Sequence, residues 1–138
     1  MEGGAALVGI VLVSHGLLAD GLKDAAEMIL GPQERFLTIG MGHAADLDDL
    51  RSRIEAAVAS VAGDSGALVL VDLMGGSPSN ASGYLAHSGT QVICGVNLPM
   101  LLEVLTQREG TTVQELTEIA MQAAKEGLVN LTQLLAGK

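Results

Sequence analysis

His15 and Asp72 are the residues of this chain whose types and surroundings best suit chemistry. His15 follows a continuous apolar run at residues 7–13 and sits within Val13-Ser14-His15-Gly16. Asp72 follows a second such run, residues 67–71, and leads into Leu73-Met74-Gly75-Gly76-Ser77-Pro78. A carboxylate bonded to one ring nitrogen of a histidine fixes the tautomer, which turns the other nitrogen's lone pair outward as a nucleophile or base. Ser77-Pro78 signals a helix start, with serine as the expected N-cap and proline in the first turn. The amides of Gly75, Gly76 and Ser77 then offer an anion site, because a helix N-terminus carries roughly half a positive charge. An oriented imidazole beside such amides suits an incoming phosphoryl group, whose transfer needs in-line positioning and charge stabilisation above all.

The elements that would position these residues follow from periodicity. Short apolar runs at residues 7–13, 36–39, 67–71 and 91–96 alternate with helical patterns, which predicts an α/β fold around a mainly parallel sheet. Helix punctuation is local and readable. Gly31-Pro32 closes the first helical pattern, Asp46 is placed to cap the second, and Ser77-Pro78 opens one that runs to about residue 86. Leu98-Pro99 opens the next. Thr112 with Glu115 forms a capping box for a last helix that Gly127 ends. Residues 128–135 fit neither a helical nor a strand period. Right-handed crossovers then give strand order 2-1-3-4, and ligands in such sheets bind at the carboxyl ends where the order reverses. The reversal falls between the first and third strands, so it brings together His15 and Asp72, on neighbours about 4.8 Å apart.

Each residue also has a structural reading. Ser77 serves as an N-cap, the glycine pair permits a tight turn, Asp72 is turn chemistry, and a lone histidine is an ordinary surface residue. Competing motifs are poorer. Gly75-Gly76-Ser77-Pro78-Ser79 resembles a nucleophile elbow, but Ser79 replaces the closing glycine and no acid and histidine follow in order. Gly40-Met41-Gly42-His43-Ala44-Ala45 fits a loose dinucleotide pattern, yet it follows the second strand, and Asp46, Asp48 and Asp49 would repel a pyrophosphate. His43 shares the functional edge and is the rival to His15, with an exposed loop role as its alternative. His87 lies at a helix end. The three histidines lack metal-ligand spacing, so neither a metal nor another cofactor is expected.

Composition narrows the function classes. Sixteen acidic residues against seven basic ones give a net charge of −9, the wrong sign for a nucleic-acid or anionic-membrane binder. Cys94 is the single cysteine, which suits a reducing compartment. Apolar runs fall short of the ~18 residues of a membrane span and the N-terminus lacks a signal pattern, so a cytoplasmic protein is expected. At 138 residues and 49% hydrophobic content the chain reads as one domain over 1–138 with frayed ends at 1–6 and 136–138.

Four ordered blocks carry a resemblance: Val11-Leu12-Val13-Ser14-His15-Gly16, Ala26-Glu27-Met28-Ile29-Leu30-Gly31, Val71-Asp72-Leu73-Met74-Gly75-Gly76-Ser77-Pro78-Ser79-Asn80, and Gly95-Val96-Asn97-Leu98-Pro99-Met100. Together they resemble the mannose-family EIIA domain of the bacterial phosphoenolpyruvate-dependent sugar phosphotransferase system. The resemblance implies a flavodoxin-like three-layer sandwich. It also implies a phosphoryl carrier that receives phosphate from HPr on His15 Nε2 and passes it to an EIIB component, meeting the EIIC and EIID membrane components only indirectly. By the same resemblance Asp72 holds the other ring nitrogen, Gly75, Gly76 and Ser77 contact the phosphate, and Asn97 and Pro99 border the site. Members of that family are homodimers, in which residues 128–135 would form an edge strand swapped onto the partner's sheet. Met74 and Ser79 depart from the family pattern beside the site, so partner docking is where this chain would differ. Two alternatives stand beside the carrier: a regulatory sensor of phosphorylation state using the same histidine, and the EIIA-like subunit of a dihydroxyacetone kinase.

Overall fold

A computed structural model describes residues 6–137 of the chain. Four strands, β1 (Gly9–His15), β2 (Phe36–Met41), β3 (Ala67–Val71) and β4 (Gln91–Cys94), form an all-parallel sheet in the order β2-β1-β3-β4. That is the order expected from right-handed crossovers. Among the described residues six helices accompany it: α1 (Leu18–Leu30), α2 (Leu47–Ala62), α3 (Ser77–His87), α4 (Leu98–Gln107), α5 (Val113–Glu126) and α6 (Leu131–Ala136).

Strand alternation splits the core in two. Ile10, Leu12, Leu68 and Leu70 face one side, where they pack with α1, α4 and α5 through residues such as Ala26, Leu101, Val104 and Leu116. Val11, Val13, Val69 and Val71 face the other, against Leu50, Ile54 and Val61 of α2 and Ala81 of α3. The result is a three-layer α/β/α sandwich whose central strands are buried on both faces, which is why β1 and β3 read as unbroken apolar runs. The helix signals behave as read. Asp46 accepts from the Asp49 amide at 3.1 Å, and the Thr112–Glu115 capping box is complete.

The structure differs from the sequence expectations at several places. β1 extends past residue 13 through Ser14 and His15, because both pair with Gly40 and Met41 of β2. β4 stops at Cys94 rather than 96, since Gly95 turns with φ +102° and both the Gly95 and Val96 amides donate to the Val71 carbonyl. Where a swapped edge strand was expected within residues 128–135, the chain forms the short helix α6, capped by Asn130 and with none of its residues buried. Of the ends expected to fray, the Ala6 carbonyl accepts from the Gly110 amide at 2.8 Å, and Gly137 donates to Gln133 at 3.1 Å. Residues 1–5 and 138, the rest of that expectation, lie outside the described residues.

Candidate functional site

β1 and β3 end side by side, and their last register pair is Val13 with Val71. His15 lies beyond that pair, so its amide has no ladder acceptor on β3. It donates instead to Asp72 Oδ2 at 3.0 Å. The same oxygen lies 2.7 Å from His15 Nδ1. Asp72 Oδ1 accepts from the Leu73 amide at 3.0 Å. Asp72 itself is anchored, its own amide donating to the Val13 carbonyl at 3.1 Å.

This wiring sets the protonation states. Burial pushes the Asp72 carboxyl upward, but the bonds from the His15 amide, the His15 ring and the Leu73 amide together hold it below its ordinary value. An ionised carboxylate only accepts, so Nδ1 of the neutral ring is the donor and Nε2 keeps its lone pair. The Asp72 side chain is 5% exposed and the His15 ring 44%, so one nitrogen is sequestered while the ring remains open to solvent. The rim beside it is apolar, with Leu17, Leu73 and Met74 all exposed.

Gly76 lies against that open side. A Cβ on Gly76 would sit 3.0 Å from His15 Nε2 and 2.8 Å from Cε1, so only glycine lets the backbone approach the ring this closely. Gly75 is needed for a different reason, its φ of +100° in the turn. Gly76, not Ser77, is the N-cap residue of α3, and no side chain caps this helix. The N-cap role expected for Ser77 is therefore corrected by one position. Extended backbone at Gly76 starts the helix, which leaves the Ser77 hydroxyl free of capping. The first amides of α3 have no intrahelical acceptor, and its first turn carries no acidic residue, so the pole beside Nε2 favours an anion.

Asn97 and Pro99, expected to border the site, make contacts of their own in α4 and α5. Asn97 Oδ1 caps α4 by accepting from the Met100 amide at 3.0 Å, and its Nδ2 donates to the Ala124 carbonyl of α5 at 3.1 Å. Pro99 packs against Gly127, where a Cβ would collide with its ring. Their contacts are those of a buttress linking α4 to α5. His43 is exposed in the loop before α2, and among the described residues no carboxylate pairs with its ring. His87 is exposed at the end of α3. No three His, Cys, Asp or Glu side chains gather as a metal set, and no helix is long and apolar enough to cross a membrane, both among the described residues.

Two contributors went unread in the sequence. Ser14 is 1% exposed, and its hydroxyl donates to the His15 carbonyl at 3.0 Å while accepting from the Ala19 amide at 2.7 Å. Gly40 of β2 lies against the Gly16 carbonyl, into which any Cβ would run. The only available signal for Ser14 was strand parity: a polar residue standing where Ile10 and Leu12 predict an apolar one.

Comparison with known proteins agrees with this geometry. Residues 9–121 match the EIIA-man family, described as PTS system fructose IIA component. The chain is 36% identical over 124 residues to the PTS system mannose-specific EIIAB component of Escherichia coli (strain K12), covering 88% of this chain but spanning only 38% of that protein. It is 32% identical over 126 residues to the PTS system sorbose-specific EIIA component of Lacticaseibacillus casei, with 90% of this chain and 91% of that protein covered. The crystal structure of phosphotransferase system component EIIA from Streptococcus agalactiae superposes with a TM-score of 0.85 at 30% identity, over 92% of this chain and 99% of that one. A match that runs from β1 into α5, with the sheet order and strand-end site described above, places the chain in the EIIA-man family.

Proposed function

We propose that the chain is a phosphoryl carrier of the sugar phosphotransferase system, taking a phosphoryl group from HPr onto His15 Nε2 and passing it to an EIIB component. The observation that carries this reading is the 2.7 Å bond from His15 Nδ1 to an ionised Asp72, on a ring left 44% exposed. In the accepting step the Nε2 lone pair attacks phosphorus, the bond to the donor nitrogen breaks, and its electron pair returns to the donor. The ring keeps its Nδ1 proton and becomes cationic, and Asp72 balances that charge. Gly75, Gly76 and Ser77 present amides to the phosphoryl oxygens, with the uncapped Ser77 hydroxyl beside them. Transfer onward reverses these steps and returns His15 unmodified.

Exposure favours a protein donor and acceptor over a small-molecule substrate. His15 stands on an open rim, and the hollow of about 290 Å³ beside Gly16 and Leu17 is lined by Asp20, Thr38 and Arg53 but not by His15. The Escherichia coli relative's name joins A and B components, which supports an EIIB acceptor. Association into a homodimer belongs to the same reading, supported by Leu128, Leu131, Leu134 and Leu135, which the single chain leaves exposed. The test is reconstituted labelling with phosphoenolpyruvate, enzyme I and HPr. The wild-type chain and His43→Ala should each acquire stoichiometric, acid-labile phosphate, and His15→Ala none. Labelling that survives in His15→Ala and disappears in His43→Ala would move the site.

A further inference from the structure

We infer that Ser14 is a positioning residue for phosphoryl transfer: its buried hydroxyl locks the His15 main chain to the start of α1 and so holds Nε2 over Gly76. The inference rests on His15 being the phosphoryl acceptor. It begins from parity. Along β1, Ile10 and Leu12 point into the α1 side of the core, and Ser14 takes the next position on that face. A third aliphatic residue would extend the core there. The chain instead buries a hydroxyl, and uses both of its hydrogen-bonding roles.

Those two bonds join the end of β1 to the first turn of α1, beside the Gly16 amide's own bond to the Met41 carbonyl at 2.8 Å. The N-cap residue of α1 is Leu17, and no side chain caps the helix locally. Its Ala19 amide, 1% exposed, is an orphan donor of the first turn. Ser14 supplies the missing acceptor from five residues upstream. Its own proton goes to the His15 carbonyl. His15 has already left the β3 ladder, so side chains hold its main chain on both sides, Asp72 at the amide and Ser14 at the carbonyl. Gly16 follows with φ +52°, a joint at which the chain turns easily. Without the Ser14 hydroxyl, the His15 carbonyl and the first turn of α1 are free to shift about that joint, and the ring moves with them. Ser14 touches neither phosphate nor ring, so its effect passes entirely through His15.

A mere helix cap would change stability alone, whereas a positioning residue changes the transfer step in the folded protein. Single-turnover transfer from phospho-HPr to the full chain separates these, with folding checked by circular dichroism at the assay temperature. Ser14→Ala should lower the maximal rate about tenfold while leaving the half-saturating donor concentration within about twofold, since a misplaced acceptor spoils the reaction and not the encounter. Ser14→Thr, which keeps the hydroxyl, should restore the wild-type rate. Nitrogen-15 spectra of the His15 ring should show the Nδ1–H form in wild type and Ser14→Thr, and a mixture of tautomers in Ser14→Ala. Wild-type rate and ring spectrum in Ser14→Ala would overturn the inference, as would a Ser14→Thr variant as slow as Ser14→Ala. If Ser14→Ala does not fold, Ser14→Cys takes its place, and a rate equal to that of Ser14→Thr counts against the inference. A wild-type chain that takes no phosphate defeats the carrier reading and with it the transfer role of Ser14, while the ring spectra still decide whether Ser14 fixes the His15 ring.

Discussion

At the amino rim of the sheet, Arg108 is 2% exposed, and its guanidinium ties three chain segments together. Nη1 donates to the Val8 and Arg35 carbonyls at 3.2 and 3.1 Å, and Nη2 to Glu34 O at 2.5 Å and Gln33 Oε1 at 3.3 Å. At the carboxyl rim the polarity is reversed. Asp72 accepts from the His15 amide and ring, while the Ser14 hydroxyl donates to the His15 carbonyl and accepts from the Ala19 amide. Both rims solve one problem, since a parallel sheet leaves strand ends that side chains must satisfy. They differ in what remains. At the amino rim the Arg108 Nε is, among the buried side-chain nitrogens and oxygens of the described residues, the one without a partner, and it is sealed from solvent. At the carboxyl rim the remainder is an exposed imidazole nitrogen beside a helix N-terminus. Polar capacity left open to solvent in a fixed geometry is what separates a reactive rim from a structural one.

The sharpest way to break this contrast is to damage each rim and measure transfer per folded molecule. Asp72→Asn should slow phosphoryl acceptance by about 10²-fold or more, a loss bounded by the ~10⁴-fold that losing tautomer control causes in a Ser-His-Asp triad. Arg108→Met should leave the rate constant unchanged, read from the same quenched-flow labelling. Equal losses at both rims would abolish the distinction. Stability should respond in the opposite sense. Removing the guanidinium takes a donor from the buried Val8 carbonyl and from the part-buried Glu34 and Arg35 carbonyls, at a cost of about 2–4 kcal/mol in urea denaturation, because each unsatisfied group costs ~1–3 kcal/mol and water recovers part of that. A smaller effect tests the β2 buttress. Gly40→Ala drives a Cβ into the Gly16 carbonyl and should destabilise by ~1–3 kcal/mol, whereas Gly42→Ala, with open space around its Cβ, should stay within ~0.5 kcal/mol of wild type.

The two rims were unequally legible in the sequence. His15 and Asp72 could be paired because each ends an apolar run, and parallel topology makes those ends neighbours. The Asp46 cap and the Thr112–Glu115 box were legible because their signals span a few residues. The bonds of Arg108 were not, since its contact with Val8 spans 100 positions and an arginine at a helix end reads as a solvated charge. Ser14 was hidden by its own type: a serine after an apolar run looks like the strand's end, and its acceptor role depends on where α1 begins. The Ser77 cap missed by one residue, because Pro78 fits either of the first two helical positions and only the extended Gly76 backbone decides between them. Residues 128–135 lacked a period because α6 buries no residue, and without burial nothing selects an apolar face.

The smallest expected effect is on acid stability, and it sharpens the comparison because Asp72 titrates there and Arg108 does not. The folded Asp72 carboxyl lies below its ordinary value of 3.8, whereas Arg108, lowered by burial and by the charge of Arg35 with Glu34 opposing, stays protonated throughout the acid range. As acid is added, the unfolded chain protonates its aspartate first, while the folded one still holds a carboxylate bonded to His15 and Leu73. In that window the unfolded state binds more protons, so stability rises with pH. The contribution of Asp72 is therefore complete above 3.8 and fades as pH falls below it through the lower folded value. Urea midpoints measured at about pH 5 and about pH 3 should show wild type losing part of its advantage over Asp72→Asn at the lower pH. Arg108→Met should run parallel to wild type across the same interval. If Asp72→Asn runs parallel as well, the carboxylate is not held by its amide and ring partners in solution, and the fixed tautomer on which the reactive rim depends goes with it.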